Sequence, residues 1–130
     1  MKNVFLFLIT SFLFLLINSC KKKNSDLTGQ WQWTYSRGGF ATTTIKPGEN
    51  EKDILIISAD SSYNWMKNGA VTSNGRYRIT FDTTYGKIIH FMPDFLGDPN
   101  GEIYIIQNKQ LVLRDYMISD GFTHYFDRVK

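Results

Sequence analysis

Two histidines, His90 and His124, are the side chains of this chain most readily recruited as general bases near neutral pH. They fall on different predicted strands. A two-histidine metal site would need a third ligand, and the sequence nominates none. His124 reads instead as a hydrogen-bonded structural residue. Asp115 approaches it across the last predicted hairpin, which should favour the imidazolium and raise its pKa. Asp98, Asn100 and Glu102 alternate oxygen ligands around Gly101, but the twelve-residue calcium-loop pattern is missing and a plain turn is expected. Glu49, Glu51 and Asp53, interrupted by Lys52, read as a solvated acidic connection, since no partner for an acid/base pair can be named. There is no Gly-x-Ser-x-Gly, no phosphate loop, no His-Glu-x-x-His and no Cys-x-x-Cys. The expectation is a chain without catalysis, metal or cofactor.

The single cysteine, Cys20, has a different chemistry in prospect. Lys2 gives a positive start, and Val4 to Ile17 is apolar apart from Thr10 and Ser11. That run is short of the roughly 20 residues a membrane-spanning helix needs and suits a removable leader. Ile17-Asn18-Ser19-Cys20 follows, with a small residue before the cysteine, and resembles a relaxed lipobox. Residues 1–19 are therefore expected to be a lipoprotein signal peptide, and Cys20 the acylated first residue of the mature chain. The competing readings, an uncleaved anchor helix or an ordinary secretory leader, leave the position of the sole cysteine to chance. With Cys20 committed to lipid, no disulfide can form within one mature chain.

The charge balance narrows the partners further. The whole chain carries +3, from 15 basic and 12 acidic residues. Setting aside Lys2 in the leader and Lys21, Lys22 and Lys23 in the tether leaves 11 basic residues against the same 12 acidic ones. The folded body is thus slightly acidic, and nucleic acid is not an expected partner. The three tether lysines suit either anionic headgroups beside the lipid or a solvated spacer.

The elements that must position any site have an apolar period of two. Trp31, Trp33 and Tyr35 alternate with Gln30, Gln32 and Thr34. Phe40–Ile45 is β-rich, Pro47-Gly48-Glu49-Asn50 is turn chemistry, and Ile54–Ser58 is a short apolar run. Tyr63–Lys67 and Val71–Phe81 flank Asn68-Gly69, a strong hairpin signal. Val71, Ser73, Gly75, Tyr77, Ile79 and Phe81 share one face of the second of these strands. Lys87–Phe91, Glu102–Gln107, Gln110–Asp115 and Phe122–Val129 follow, with Met92–Gly101 the longest irregular stretch. After a polar tether over 20–26, residues 27–130 form one domain: a small antiparallel up-and-down β-barrel of eight or nine short strands. The inward rings of Trp33, Tyr63, Trp65, Tyr77, Phe81 and Phe91 either line a pocket or fill the interior, both of which a barrel of this size allows.

The domain opens Leu27-Thr28-Gly29-Gln30-Trp31 and ends Asp120-Gly121-Phe122-Thr123-His124-Tyr125-Phe126-Asp127-Arg128-Val129. The Gly-x-Trp opening resembles that of the lipocalin superfamily, and the closing strand resembles the lipocalin-like lipoproteins of Bacteroidetes-type bacteria. The resemblance brackets the whole domain. It implies a calyx closed at one end, with Trp31 as the plug and Arg128 packed over its ring. The chain departs from most lipocalins in being shorter, in lacking a disulfide and in ending two residues after Arg128, without a flanking helix.

The resulting expectation is a lipocalin-like lipoprotein, anchored through lipid on Cys20. It would bind a small apolar ligand in the barrel or a protein partner at its rim. The alternative is an accessory subunit of a cell-envelope complex with a filled core. Lys21 stands where an Asp would retain a lipoprotein at the inner membrane, which favours the outer membrane. The lack of an acidic cluster in Lys21-Lys22-Lys23-Asn24 favours its periplasmic face.

Overall fold

A computed structural model describes residues 26–130. The leader, Cys20 and the tether lysines lie outside the described residues, and so do the expectations placed on them. The regular structure of residues 26–130 is all β: β1 (Gly29–Gly38), β2 (Thr43–Ile45), β3 (Asp53–Ile57), β4 (Ser62–Lys67), β5 (Ala70–Asp82), β6 (Gly86–Met92), β7 (Glu102–Gln107), β8 (Gln110–Asp115) and β9 (Phe122–Arg128). β1 and β3 to β9 form a closed antiparallel meander, because β1 pairs with β9 as well as β3. β2 is an extra strand on the far half of β1. Gly29 to Gln32 face Ile57 to Ile54 of β3, while Ser36 to Gly38 face Ile45 to Thr43 of β2.

Turn chemistry fixes this order. Asn68-Gly69 and Asn108-Lys109 both hold positive φ at each central residue, the type I′ pattern whose twist matches that of the flanking strands. Two expectations need correction. The β-rich Phe40–Ile45 segment contributes only Thr43–Ile45 as strand, and Phe40 projects into solvent at the tip of the β1–β2 hairpin. The strict alternation read into β1 breaks at a bulge between Trp33 and Tyr35. The extra residue rephases the strand. Tyr35 turns outward, where its ring stacks on Tyr125 at 4.3 Å, and Ser36 turns inward and is buried.

One end of the barrel is sealed where the chain enters it. Trp31 is 0% exposed, and its indole Nε1 donates to Leu27 O at 2.8 Å. Arg128, its register partner on β9, lies with Cζ 4.1 Å from the Trp31 ring centroid. Its guanidinium donates to Thr28 O at 3.0 Å and to Asp26 O. Planar stacking combined with two carbonyl acceptors uses what distinguishes arginine from lysine. Gly29 has a φ of 139°, and a Cβ there would stand 2.7 Å from Arg128 Nη1. The Gly-x-Trp spacing thus has a local cause: the glycine leaves room for the guanidinium that covers the tryptophan. Leu55, Ile57, Tyr63, Leu111, Leu113 and Phe126 pack behind this plug as one core.

Candidate functional site

Each connection reverses the chain, so β1 runs from the plugged end towards the Met92–Gly101 loop and the 116–121 loop at the opposite end. A cavity of about 340 Å³ opens there. Its walls are Trp33, Trp65, Phe95, Phe122 and Phe126, with Leu96 and Ile45, and its polar members are Ser36, Asp53, Lys67 and His124. Small-molecule sites have this make-up: a mostly apolar, aromatic lining with a few placed polar groups.

The sequence-predicted lining divides on inspection. Trp33 and Trp65 border the cavity. Tyr63, Tyr77 and Phe91 are buried beneath it and fill the barrel rather than line a pocket. Tyr63 donates its hydroxyl to Pro93 O, and Tyr77 donates to Ser58 O at 2.9 Å. Phe81 is a correction: it is 73% exposed. β5 runs on past the barrel wall, so the alternation that puts Tyr77 inside carries Phe81 beyond the rim. In its place the structure supplies Phe95 and Leu96 from the Met92–Gly101 loop. Phe95 packs on Tyr63, Trp65 and Phe91 with centroids 5.2, 5.1 and 4.8 Å away.

A directed polar chain runs along the wall. Trp33 Nε1 donates to Ser36 Oγ at 2.8 Å, and Ser36 Oγ lies 2.7 Å from His124 Nδ1. His124 Nε2 stands 3.7 Å from Asp115 Oδ1, too long for a hydrogen bond but within ion-pair range. Asp115 Oδ2 accepts from Phe122 N at 2.7 Å. An unprotonated Nε2 would set its lone pair against the carboxylate, so the proton belongs on Nε2, and Ser36 donates to Nδ1. Asp115 does approach His124 as expected, but the expected rise in pKa is reversed. Burial of the ring outweighs the pull of Asp115 and holds the pKa below the usual histidine range.

Glu102 sits on the inward face of β7, opposite Asp115 on β8 and Ile89 on β6. It is 1% exposed, and neither carboxyl oxygen has a hydrogen-bond partner. Burial, reinforced by Asp94, Asp98 and Asp115, pushes its pKa up to about 9, so the group is a neutral acid at pH 7. The sequence groups it with Asp98 and Asn100 around a plain turn and gives no sign of its burial, because a strand-initial Glu ordinarily faces water.

Asp53 is a second residue that sequence reading missed. It opens β3 instead of belonging to the solvated loop, and it is 3% exposed in the cavity wall. Lys67, opposite it on β4, holds its Nζ 3.7 Å from the Asp53 carboxylate with a side chain 55% exposed. Glu49 and Glu51 do remain in the exposed connection. Asp98 is a buried staple: its carboxylate accepts from Asn100 N at 2.8 Å and Tyr116 N at 2.7 Å, tying the two upper loops together. His90 lies on β6 against Thr80 Oγ1 at 2.8 Å. Among the described residues no group of three His, Cys, Asp or Glu side chains is arranged to hold a metal ion. Comparison of the chain with protein-family models, curated proteins and solved structures returns no match.

Proposed function

We propose that this chain is a membrane-anchored, lipocalin-like lipoprotein that binds a small, largely apolar molecule in the open half of its barrel without transforming it. The observation that carries this reading is the cavity of about 340 Å³ walled by Trp33, Trp65, Phe95, Phe122 and Phe126. The leader ending at Cys20 supports a lipid anchor, and the lysines after it support an outer-membrane location on the periplasmic side. The slightly acidic body argues against nucleic acid as a partner. The test of binding is a saturable rise in N-phenyl-1-naphthylamine fluorescence with the full chain in lipid nanodiscs, corrected with empty nanodiscs. Leu96→Trp, which fills the mouth from a loop, should abolish it. Absence of binding by the wild type would sink the reading. Fatty-acid labelling of the wild type, lost in Cys20→Ala, tests the anchor.

Ser36, His124 and Asp115 do stand in the order of a nucleophile, a base and an orienting acid. Two features speak for a structural role. Ser36 Oγ already accepts the Trp33 indole proton, and the His124–Asp115 spacing leaves the ring loosely oriented. No Ser36-dependent hydrolysis of p-nitrophenyl butyrate is expected. Turnover lost in Ser36→Ala would replace binding by acyl transfer.

A further inference from the structure

Three ionisable side chains border the cavity, and they differ in how firmly they are held. Asp53 is 3% exposed at the start of β3, and its backbone is fixed in the sheet by pairing with Lys67. Its carboxylate cannot leave the wall. Among the described residues its one side-chain partner is Lys67, at 3.7 Å. Lys67 is anchored only by its stem, with 55% of its side chain in solvent, and its ammonium can swing into water at little cost. His124 is neutral, since burial outweighs the pull of Asp115. The permanent charge of the cavity is therefore negative, and the positive charge beside it is the movable one.

The aromatic walls have the same sign preference. The face of an indole or phenyl ring carries negative charge, which attracts a cation, most strongly at tryptophan. Trp33 and Trp65 are both in the lining, beside Phe95, Phe122 and Phe126. An anionic ligand would have to sit among these rings next to a carboxylate with no route of escape. A neutral alcohol would donate one charge-assisted hydrogen bond to Asp53 and leave its negative charge uncompensated.

We propose that the cavity selects small organic cations, primary or quaternary ammonium compounds with a compact apolar body. The ammonium replaces that of Lys67 on Asp53, and the body packs among Trp33, Trp65 and Phe95. This rests on the cavity being a ligand site, as argued above, and adds the class of ligand. No bond is made or broken in the exchange.

The experiment is calorimetric titration of the full chain in nanodiscs with three probes of one shape: 2-phenylethylammonium, 2-phenylethanol and 3-phenylpropionate. The ammonium should bind about tenfold or more tighter than either of the others. Asp53→Asn, nearly isosteric, should bring the ammonium down to about the level of the alcohol and weaken the alcohol far less. Lys67→Ala removes the competing cation and should tighten ammonium binding several-fold. Tightest binding by the carboxylate overturns the proposal and makes Lys67 the determinant. Equal binding of alcohol and ammonium, or a preference for the ammonium that survives in Asp53→Asn, also overturns it, while leaving the cavity as a ligand site. Failure of all three probes together with N-phenyl-1-naphthylamine removes both readings.

Discussion

The two ends of this barrel are built to opposite standards. At the entry end the polar groups of the plug are matched, the Trp31 indole by Leu27 O and the Arg128 guanidinium by Thr28 O and Asp26 O, and among the described residues only the Tyr104 hydroxyl is buried there without a partner. At the far end Glu102 has no partner for either oxygen, His124 Nε2 and Asp115 Oδ1 face each other beyond hydrogen-bond distance, and a cavity remains. Buried polar atoms without partners cost free energy, so the plugged end must carry stability that the open end spends. Such a division is expected where one part of a fold holds shape and another keeps a site.

Removing the plug should give the largest effect. Trp31→Ala deletes a fully buried indole and strands Arg128, and should cost about 3–5 kcal/mol in urea denaturation. A loss under about 1 kcal/mol would mean that the two ends do not differ in the way described. The opposite sign is expected at the open end. The Glu102 pKa is raised from its ordinary 4.5 to about 9, so the folded state holds a proton that the unfolded state releases between those values. This group therefore lowers stability progressively as pH rises through that window. Glu102→Gln should stabilise the protein by about 2–3 kcal/mol at pH 8 and by little near pH 4.5. Equal stability of the two proteins at both pH values would refute the buried acid. His124 acts on the other flank. Its pKa is depressed, so its contribution is complete above the ordinary histidine value of 6.5 and fades as pH falls below it.

Smaller changes sharpen the contrast. Arg128→Lys keeps the charge but loses the planar stack over Trp31, and should cost about 1–2 kcal/mol, with the loss disappearing when Trp31 is already alanine. Phe81→Ser, at a ring outside the wall, should stay within about 0.5 kcal/mol of the wild type and leave dye binding intact. A larger effect would return Phe81 to the site.

Much of the frame was legible because it depends on local patterns. Asn68-Gly69 and the alternation around it marked a hairpin, and a meander whose first and last strands meet brings Trp31 and Arg128 together. The site was less legible because it depends on phase and depth, which alternation does not reveal. One extra residue at the β1 bulge exchanged Tyr35 for Ser36 on the inner face. Asp53 looked like part of an acidic loop because its neighbours are exposed; only the start of β3 turns it inward. Phe81 kept the correct phase and lost its place because β5 outruns the wall. Phe95 and Leu96 came from a stretch with no period to read.

The clamp of Arg128 on Asp26 O also fixes where the polypeptide leaves the barrel. Five residues separate Asp26 from Cys20, six chain steps with a reach of about 20 Å when fully extended. An acyl chain on Cys20 would keep the plugged end within that reach of the bilayer. On the proposed reading, the mouth beside Phe95 and Leu96, at the opposite end of the barrel, would then look away from that surface.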